Sequence, residues 1–308
     1  MILTPIILCA LLLDFWLGEP RRAHPLVAFG RLTEWLETRW NRPSGSDLQR
    51  KTLGVIAVTG LLGSFGLAAH FIIDAPGFGV SFEILLLYLC LGGRSLGEHA
   101  EAIAAPLQQG DLEQARRATS YMVSRDTTQM SAPDMSKAAV ESVLENGNDA
   151  LFATLFWYCI GGLPGAIIHR LSNTLDAMWG YRTERFTHFG WAAARLDDLL
   201  AWIPARLCAI TYALLGCTRN ALRCWRTQAA AYPGPNGGAV MAAGAGALGV
   251  QLGGSAIYHG KTKQRPLLGS GPEPQAKDIR RAVAMVQHGA WWWLGLIFLL
   301  EALLSGYL

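Results

Sequence analysis

The chain has 308 residues, 51% hydrophobic and 16% charged, which allows one large or two small domains and leans away from an ordinary soluble fold. A formal net charge of +3 is too small to argue for nucleic acid, and the basic residues lack the aromatic interleaving of a strand-binding face. Cys9, Cys90, Cys159, Cys208, Cys217 and Cys224 sit in or beside apolar segments without C-x-x-C spacing, which favours packing thiols over a disulfide framework or a metal site.

The apolar weight is concentrated at 2–17, 53–74, 81–93, 150–169, 199–217 and 287–308, several of which approach the roughly 20 residues needed to cross a bilayer core. The first stretch has no basic leader and no small-residue cleavage site, so it reads as a retained helix. Segment 18–52 carries Arg21, Arg22, Arg31, Arg39, Arg42, Arg50 and Lys51, whereas the turn from Asp74 to Val80 has neither Lys nor Arg. The excess of positive charge on cytoplasmic loops puts the first inside and the second outside. A second helix then returns over Leu53–Ile73 and a short third one over Phe82–Leu91.

From Gly92 to Asp149, Arg94, Glu98, Glu101, Asp111, Glu113, Arg116 and Arg117 stand among alanines and leucines at helical spacing, the pattern of amphipathic cytoplasmic helices. Ser131–Asp134 predicts a helix start for Met135–Asn146. Two simple spans at 150–169 and 199–217 would strand Arg170, Arg182, Arg185 and Arg195 outside, against the charge rule. Gly161, Gly162, Pro164 and Gly165 would also break a straight helix, so the spacing favours a re-entrant or broken hairpin over two full crossings.

Further on, Tyr232–Gly238 reads as an irregular loop, and Ala239–Leu252 as a small-residue stretch suited to close packing. Lys261–Arg281 reads as a polar cytoplasmic segment, and Trp291–Trp293 as an interfacial anchor. The expectation is an all-α, polytopic integral membrane protein with about four to six transmembrane or re-entrant helices and cytoplasmic amphipathic helices. Its regions are 1–93, 94–286 holding the catalytic residues, and the C-terminal helix 287–308.

Charged groups beside membrane helices are costly and usually mark a site. Glu141, Glu145 and Asp149 are four residues apart in succession, so an uninterrupted helix would stack three carboxylates on one face, near Ser142 and Asn146. Mg²⁺ suits such a set because it takes carboxylate oxygens and waters and bridges to phosphates. An ion network with Arg125, Arg182 or Arg195 is the structural alternative. Asn173–Asp176 and Arg195–Asp198 add two more acidic patches, and guanidinium groups suit phosphate. No nucleotide-binding fingerprint is present. His24, His70, His99, His169, His188, His259 and His288 are scattered singly, which favours structural roles.

Leu13-Asp14, Gly18-Glu19-Pro20, His24-Pro25 and Gly30-Arg31 form a D-x-x-x-G-[DE]-P…H-P…G-R string. Ser124-Arg125-Asp126-Thr127, Glu141-Ser142, Glu145-Asn146, Asp149, Arg170, Asn173-Thr174-Leu175-Asp176 and Gly180-Tyr181 follow it. Ala194-Arg195-Leu196-Asp197-Asp198, Ile203-Pro204-Ala205-Arg206, Pro235-Asn236 and Gly253-Gly254 complete the set. In order and over nearly the whole chain, these motifs resemble the CobD/CbiB cobalamin biosynthesis family, the adenosylcobinamide-phosphate synthases. The chain departs from that pattern at Ala150, where the family often has glycine, and at Thr154, where it often has proline.

The resemblance implies an inner-membrane, multi-pass enzyme with its active site facing the cytoplasm. It would join (R)-1-aminopropan-2-ol or its O-phosphate to a propionate of adenosylcobyric acid, using ATP and Mg²⁺. Membrane lipid, and a homo-oligomer or a complex with other late membrane enzymes of that pathway, are the expected associations. Glu141, Glu145 and Asp198 are then the candidate catalytic residues, and Asp149, Asp176 and Asp197 the candidate metal ligands. Arg125, Asp126, Asn146, Asn173, Arg182, Arg195, Arg206 and Asn236 are the candidate substrate-binding residues. An AmpE-like membrane sensor and a corrinoid-binding or transport protein are the competing expectations.

Overall fold

The computed structural model describes residues 3–20, 24–73, 79–258 and 261–306. Arg21, Arg22, most of the turn at 74–80, and His259 lie outside the described residues. In chain order the helices are α1 (Leu3–Leu17), α2 (Pro25–Trp40), α3 (Asp47–Ile73), α4 (Gly79–Cys90), α5 (Gly93–Gln109), α6 (Leu112–Ser120) and α7 (Ala132–Gly147). After a π-helical turn at Asn148–Phe152 come α8 (Ala153–Trp179), α9 (Trp191–Leu200), α10 (Trp202–Leu215) and α11 (Thr218–Gln228). The chain ends with α12 (Gly237–Leu248), strands β1 (Gln251–Tyr258) and β2 (Lys261–Gly269), and α13 (Ala276–Leu304).

Among the described residues, four helical runs are long and apolar enough to cross a membrane, Asp47–Ile73, Gly79–Gln109, Ala132–Trp179 and Ala276–Leu304, with a fifth if Trp191–Leu200 and Trp202–Leu215 are one bent span. Phe15, Trp16, Leu67, Phe71, Leu214 and Leu303 are among many large apolar side chains left exposed. Such surface suits lipid and would be a liability in water. The mostly helical, polytopic membrane architecture expected from the sequence is therefore present.

The chain divides into two compact units, one made of Met1–Gly92, Asp149–Ala201 and Ile297–Leu308, the other of Gly93–Asn148 and Trp202–Leu296. In the first, α2 starts on His24, whose Nδ1 accepts the Leu26 N–H at 3.2 Å, with Pro25 preset for the first turn. Burial holds the His24 imidazole below its ordinary range, against the pull of Glu19 and with help from Arg170. Phe29, Leu36, Val58, Leu62, Leu175, Trp179 and Phe189 form the core of this unit. A polar clasp closes one side of it: Glu37 takes two bonds from Arg185, while Asn41 and Arg50 hold the backbone carbonyl of Arg185. Glu301 accepts the Leu3 and Thr4 amides at 3.0 Å each, satisfying donors that the first turn of α1 leaves open.

α8 is broken where the Gly-Gly-Leu-Pro sequence predicts, with Gly161 at φ −124°, ψ 15° and Gly162 at φ 59°, ψ −155°. Trp157 Nε1 donates to the Leu200 carbonyl at 2.9 Å from the turn before this break.

In the second unit, α7 begins with a capping box between Ser131 and Asp134, where the sequence predicts its start. α12 is made of Gly, Ala, Val, Met and Leu alone, and all its residues are buried. Lys261–Arg281, read as a polar segment, contains strand β2 and the start of α13. β1 and β2 pair antiparallel, with a bulge between Leu252 and Gly254. Segment 18–52 holds the amphipathic helix α2 and the start of α3.

Candidate active site

Glu141 is the focus of the second unit. Its side chain is 4% exposed, and its Oε2 accepts Arg125 Nη2 at 2.5 Å. Arg265 Nη2 donates to both carboxylate oxygens, at 2.6 and 2.8 Å, and the Gly253 amide donates to Oε1 at 2.8 Å. The bulge makes that last bond possible: Gly253 sits at φ 81°, and a Cβ there would lie 1.9 Å from the Pro266 carbonyl oxygen. Glu141 thus gathers a loop, a helix and both strands around one buried charge.

One turn along α7, the Glu145 Oε1 lies 2.4 Å from where a Cβ on Gly237 would be, against the start of α12. Arg206 bonds the Asn236 Oδ1 at 2.7 Å and the carbonyls of Trp202 and Pro235, so its guanidinium fixes the loop that enters α12. Asn146 donates to Ser142 Oγ at 2.9 Å, and the Asp126 Oδ1 accepts the amide and hydroxyl of Thr128. Thr128 thereby holds the Asp126 carboxyl below the usual range.

The remaining candidates fall in the first unit. Asn173 Nδ2 donates to Asp149 Oδ2 at 3.3 Å and also bonds Asp197. Asp149, Asp176 and Asp198 are close enough to Asp197 for their charges to bear on it. Arg182 and Arg195, both exposed, act on Asp198 in the opposite sense. The Asp197 Oδ1 is buried with no hydrogen-bond partner. Such an oxygen calls for a proton or a cation.

The stack expected of Glu141, Glu145 and Asp149 stops short, because the regular period of α7 ends at Gly147 and Asp149 lies in the π turn. Asp149 instead belongs with Asn173. Thr154, at a position where proline was the expected residue, donates to the Asp149 carbonyl at 3.1 Å and adds a bond at that turn.

Among the described residues no group of three or more His, Cys, Asp or Glu side chains is arranged to hold a metal ion alone. Mg²⁺ does not need such a cage, since it is commonly bound by one or two carboxylates with water and substrate phosphate completing the shell. The buried oxygen of Asp197, among like charges, fits an ion of that kind.

Sequence reasoning missed Arg265 and Lys137. Arg265 lies in a stretch whose turn residues hid its strand, and Lys137, paired with Glu273 at 2.6 Å, stands on α7 without any local motif around it. The Gly253-Gly254 pair was noticed as a motif, but its bond to Glu141 was not foreseeable from spacing.

Residues 7–286 match the model of the CobD/Cbib protein family. A protein of Stutzerimonas stutzeri, named cobalamin biosynthesis protein CobD, is 57% identical over 285 residues, covering 92% of this chain and 93% of that protein. The protein of the same name from Chromobacterium violaceum is 52% identical over 290 residues, covering 93% of each chain. The one from Mycobacterium tuberculosis is 40% identical over 294 residues, covering 92% of each. No solved structure matches the chain.

Proposed function

The chain belongs to the CobD/CbiB family, and from that membership we propose that it forms the amide joining an aminopropanol arm to adenosylcobyric acid in cobalamin biosynthesis. ATP phosphorylates a propionate carboxylate of the corrinoid and leaves as ADP. The amine then attacks the acyl carbon, phosphate departs, and the nitrogen loses a proton to a nearby base. The inner membrane is the proposed location, with the reacting groups on the cytoplasmic side.

The observation that carries this reading is the set of charges at Asp149, Asp176, Asp197 and Asp198 around one buried, unpartnered carboxylate oxygen. Phosphoryl and acyl transfer depend mainly on placing charge and excluding water, so they need no activated serine or cysteine. Asp197 would hold Mg²⁺, with water and substrate phosphate completing the shell and with Asp149 and Asp176 adding negative charge beside it; when bound, the ion would offset phosphate charge. Asn173 orients two of these carboxylates through its bonds to Asp149 and Asp197. Asp198, facing Arg182 and Arg195, is the proposed acceptor of the amine proton. In the other unit, Glu141 positions Arg125 and Arg265 rather than moving a proton, because its two oxygens already accept from both guanidinium groups.

The test is amide formation from adenosylcobyric acid by the protein purified in detergent, with ADP release followed in parallel. Asp198→Ala and Asp197→Asn should each cut turnover by about a hundredfold or more, the loss usual for a group stabilising transition-state charge. Undiminished turnover in both variants would refute their assignment. The break in α8 also suits a transporter. Corrinoid flux into sealed vesicles without any ATP-linked product would favour that second reading.

A further inference from the structure

Between Asp198 and Glu273 the chain has no Asp or Glu. Of the arginines in that stretch, Arg206 is held by Asn236 and Arg265 by Glu141. The other three, Arg219, Arg223 and Arg226, all stand exposed on α11. Among the described residues none of their guanidinium groups has an ion pair or a hydrogen-bond partner.

Their spacing of four and then three puts the arginines within about 60° of one another around the helix and along about 10 Å of its length. Ala221 and Cys224, on the opposite side, are buried, and the Ala221 backbone lies against Gly246 of α12. One face of α11 is therefore packed, and the other is a row of positive charge. Like charges at this spacing repel, and no acidic side chain on the helix offsets them. An external array of anions would.

The preceding helix indicates which anions. α10 ends at Leu215 and α11 begins at Thr218 in the same unit. On α10, Ile203, Leu207, Ile210 and Leu214 are all exposed, and their spacing of four, three and four makes one continuous apolar stripe. A stripe of that kind fits acyl chains. An arginine row that follows it within a few residues suits the headgroup level, where the aliphatic stems lie along the apolar boundary and the guanidinium forks reach phosphate oxygens. A single small anion would be gripped on this convex face from one side only. A soluble acidic polymer would leave the apolar stripe beside it unexplained.

We propose that α11 docks on an anionic phospholipid leaflet, with Arg219, Arg223 and Arg226 on the headgroups. The charge rule puts that leaflet on the cytoplasmic side. This inference is independent of the reaction proposed above.

Native mass spectrometry of the full chain, titrated in a neutral detergent with phosphatidylglycerol or phosphatidylcholine, tests it. The parent should bind phosphatidylglycerol at least tenfold more tightly than phosphatidylcholine, and raised ionic strength should shrink that preference. Arg219→Gln, Arg223→Gln and Arg226→Gln combined should weaken phosphatidylglycerol about tenfold and leave phosphatidylcholine unchanged. The same three positions changed to Lys should retain the preference. Arg94→Gln with Arg117→Gln removes two exposed arginines that already have glutamate partners, and should have no effect. All three positions on α11 are exposed, so the melting midpoint should not move. An unchanged preference in the glutamine variant overturns the proposal, and is the result expected if an acidic protein surface covers this face instead. Equal loss of both lipids in that variant, or loss of the preference in the Arg94 and Arg117 control, also overturns it.

Discussion

Glu141 shows how much of a site can depend on one side chain. Three donors from separate parts of the chain converge on it, and its removal would leave two guanidinium groups facing each other in a poorly solvated place. Breaking a buried ion pair by deleting one partner costs about 3–5 kcal/mol, well above the value of an exposed pair. Glu141→Leu should therefore lower the thermal unfolding midpoint in detergent markedly, followed by tryptophan fluorescence, whereas Glu113→Leu, on an exposed α6 pair with Arg117, should leave it nearly unchanged. Equal midpoints would show that the network contributes no stability. The acidic side of this cluster was legible, because Glu141 and Glu145 share a helix face at a spacing of four. Arg265 was not, since it meets Glu141 across 124 positions and no local pattern reports such a distance.

At the level of elements, the break in α8 could be read directly from Gly161, Gly162 and Pro164. The two glycines are not equivalent. Gly162, at φ 59°, ψ −155°, occupies a region that side-chain-bearing residues rarely adopt, while Gly161 keeps a negative φ and has open space where a Cβ would go. Gly162→Ala should cost about 1–3 kcal/mol, and Gly161→Ala should be close to neutral. Comparing the two midpoints under one detergent condition checks this, and the reverse order would contradict the backbone assignment. The hairpin was harder to foresee. Gly253, Gly254, Pro266 and Gly269 all signal turns, and here they serve a bulge and strand ends instead. The π turn after α7 left no trace in composition, because one extra residue per turn changes phase without changing which residues are used.

For the molecule as a whole, the distribution of apolar segments carried the membrane architecture, and the clustering of Lys and Arg gives its expected orientation. Arg182→Cys and Arg195→Cys, each in a background without the six native cysteines, provide the check. A membrane-impermeant maleimide should label both in inverted vesicles and neither in intact spheroplasts; the opposite result would move the proposed chemistry to the outer side.

The buried helix α12 shows what kind of contact holds its unit together. At about 1.5 Å per residue its twelve positions reach roughly 18 Å, too short to traverse a bilayer core unaided. Val240, Met241 and Leu248 are its only large side chains, the rest being Gly and Ala. Its place is prepared by others: the Cys217 amide ahead of α11 bonds its Ala247 carbonyl, and Leu144 of α7 and Tyr212 of α10 lie against Gly244. A helix this short and this fully enclosed is held by close backbone packing against its neighbours and not by contact with lipid.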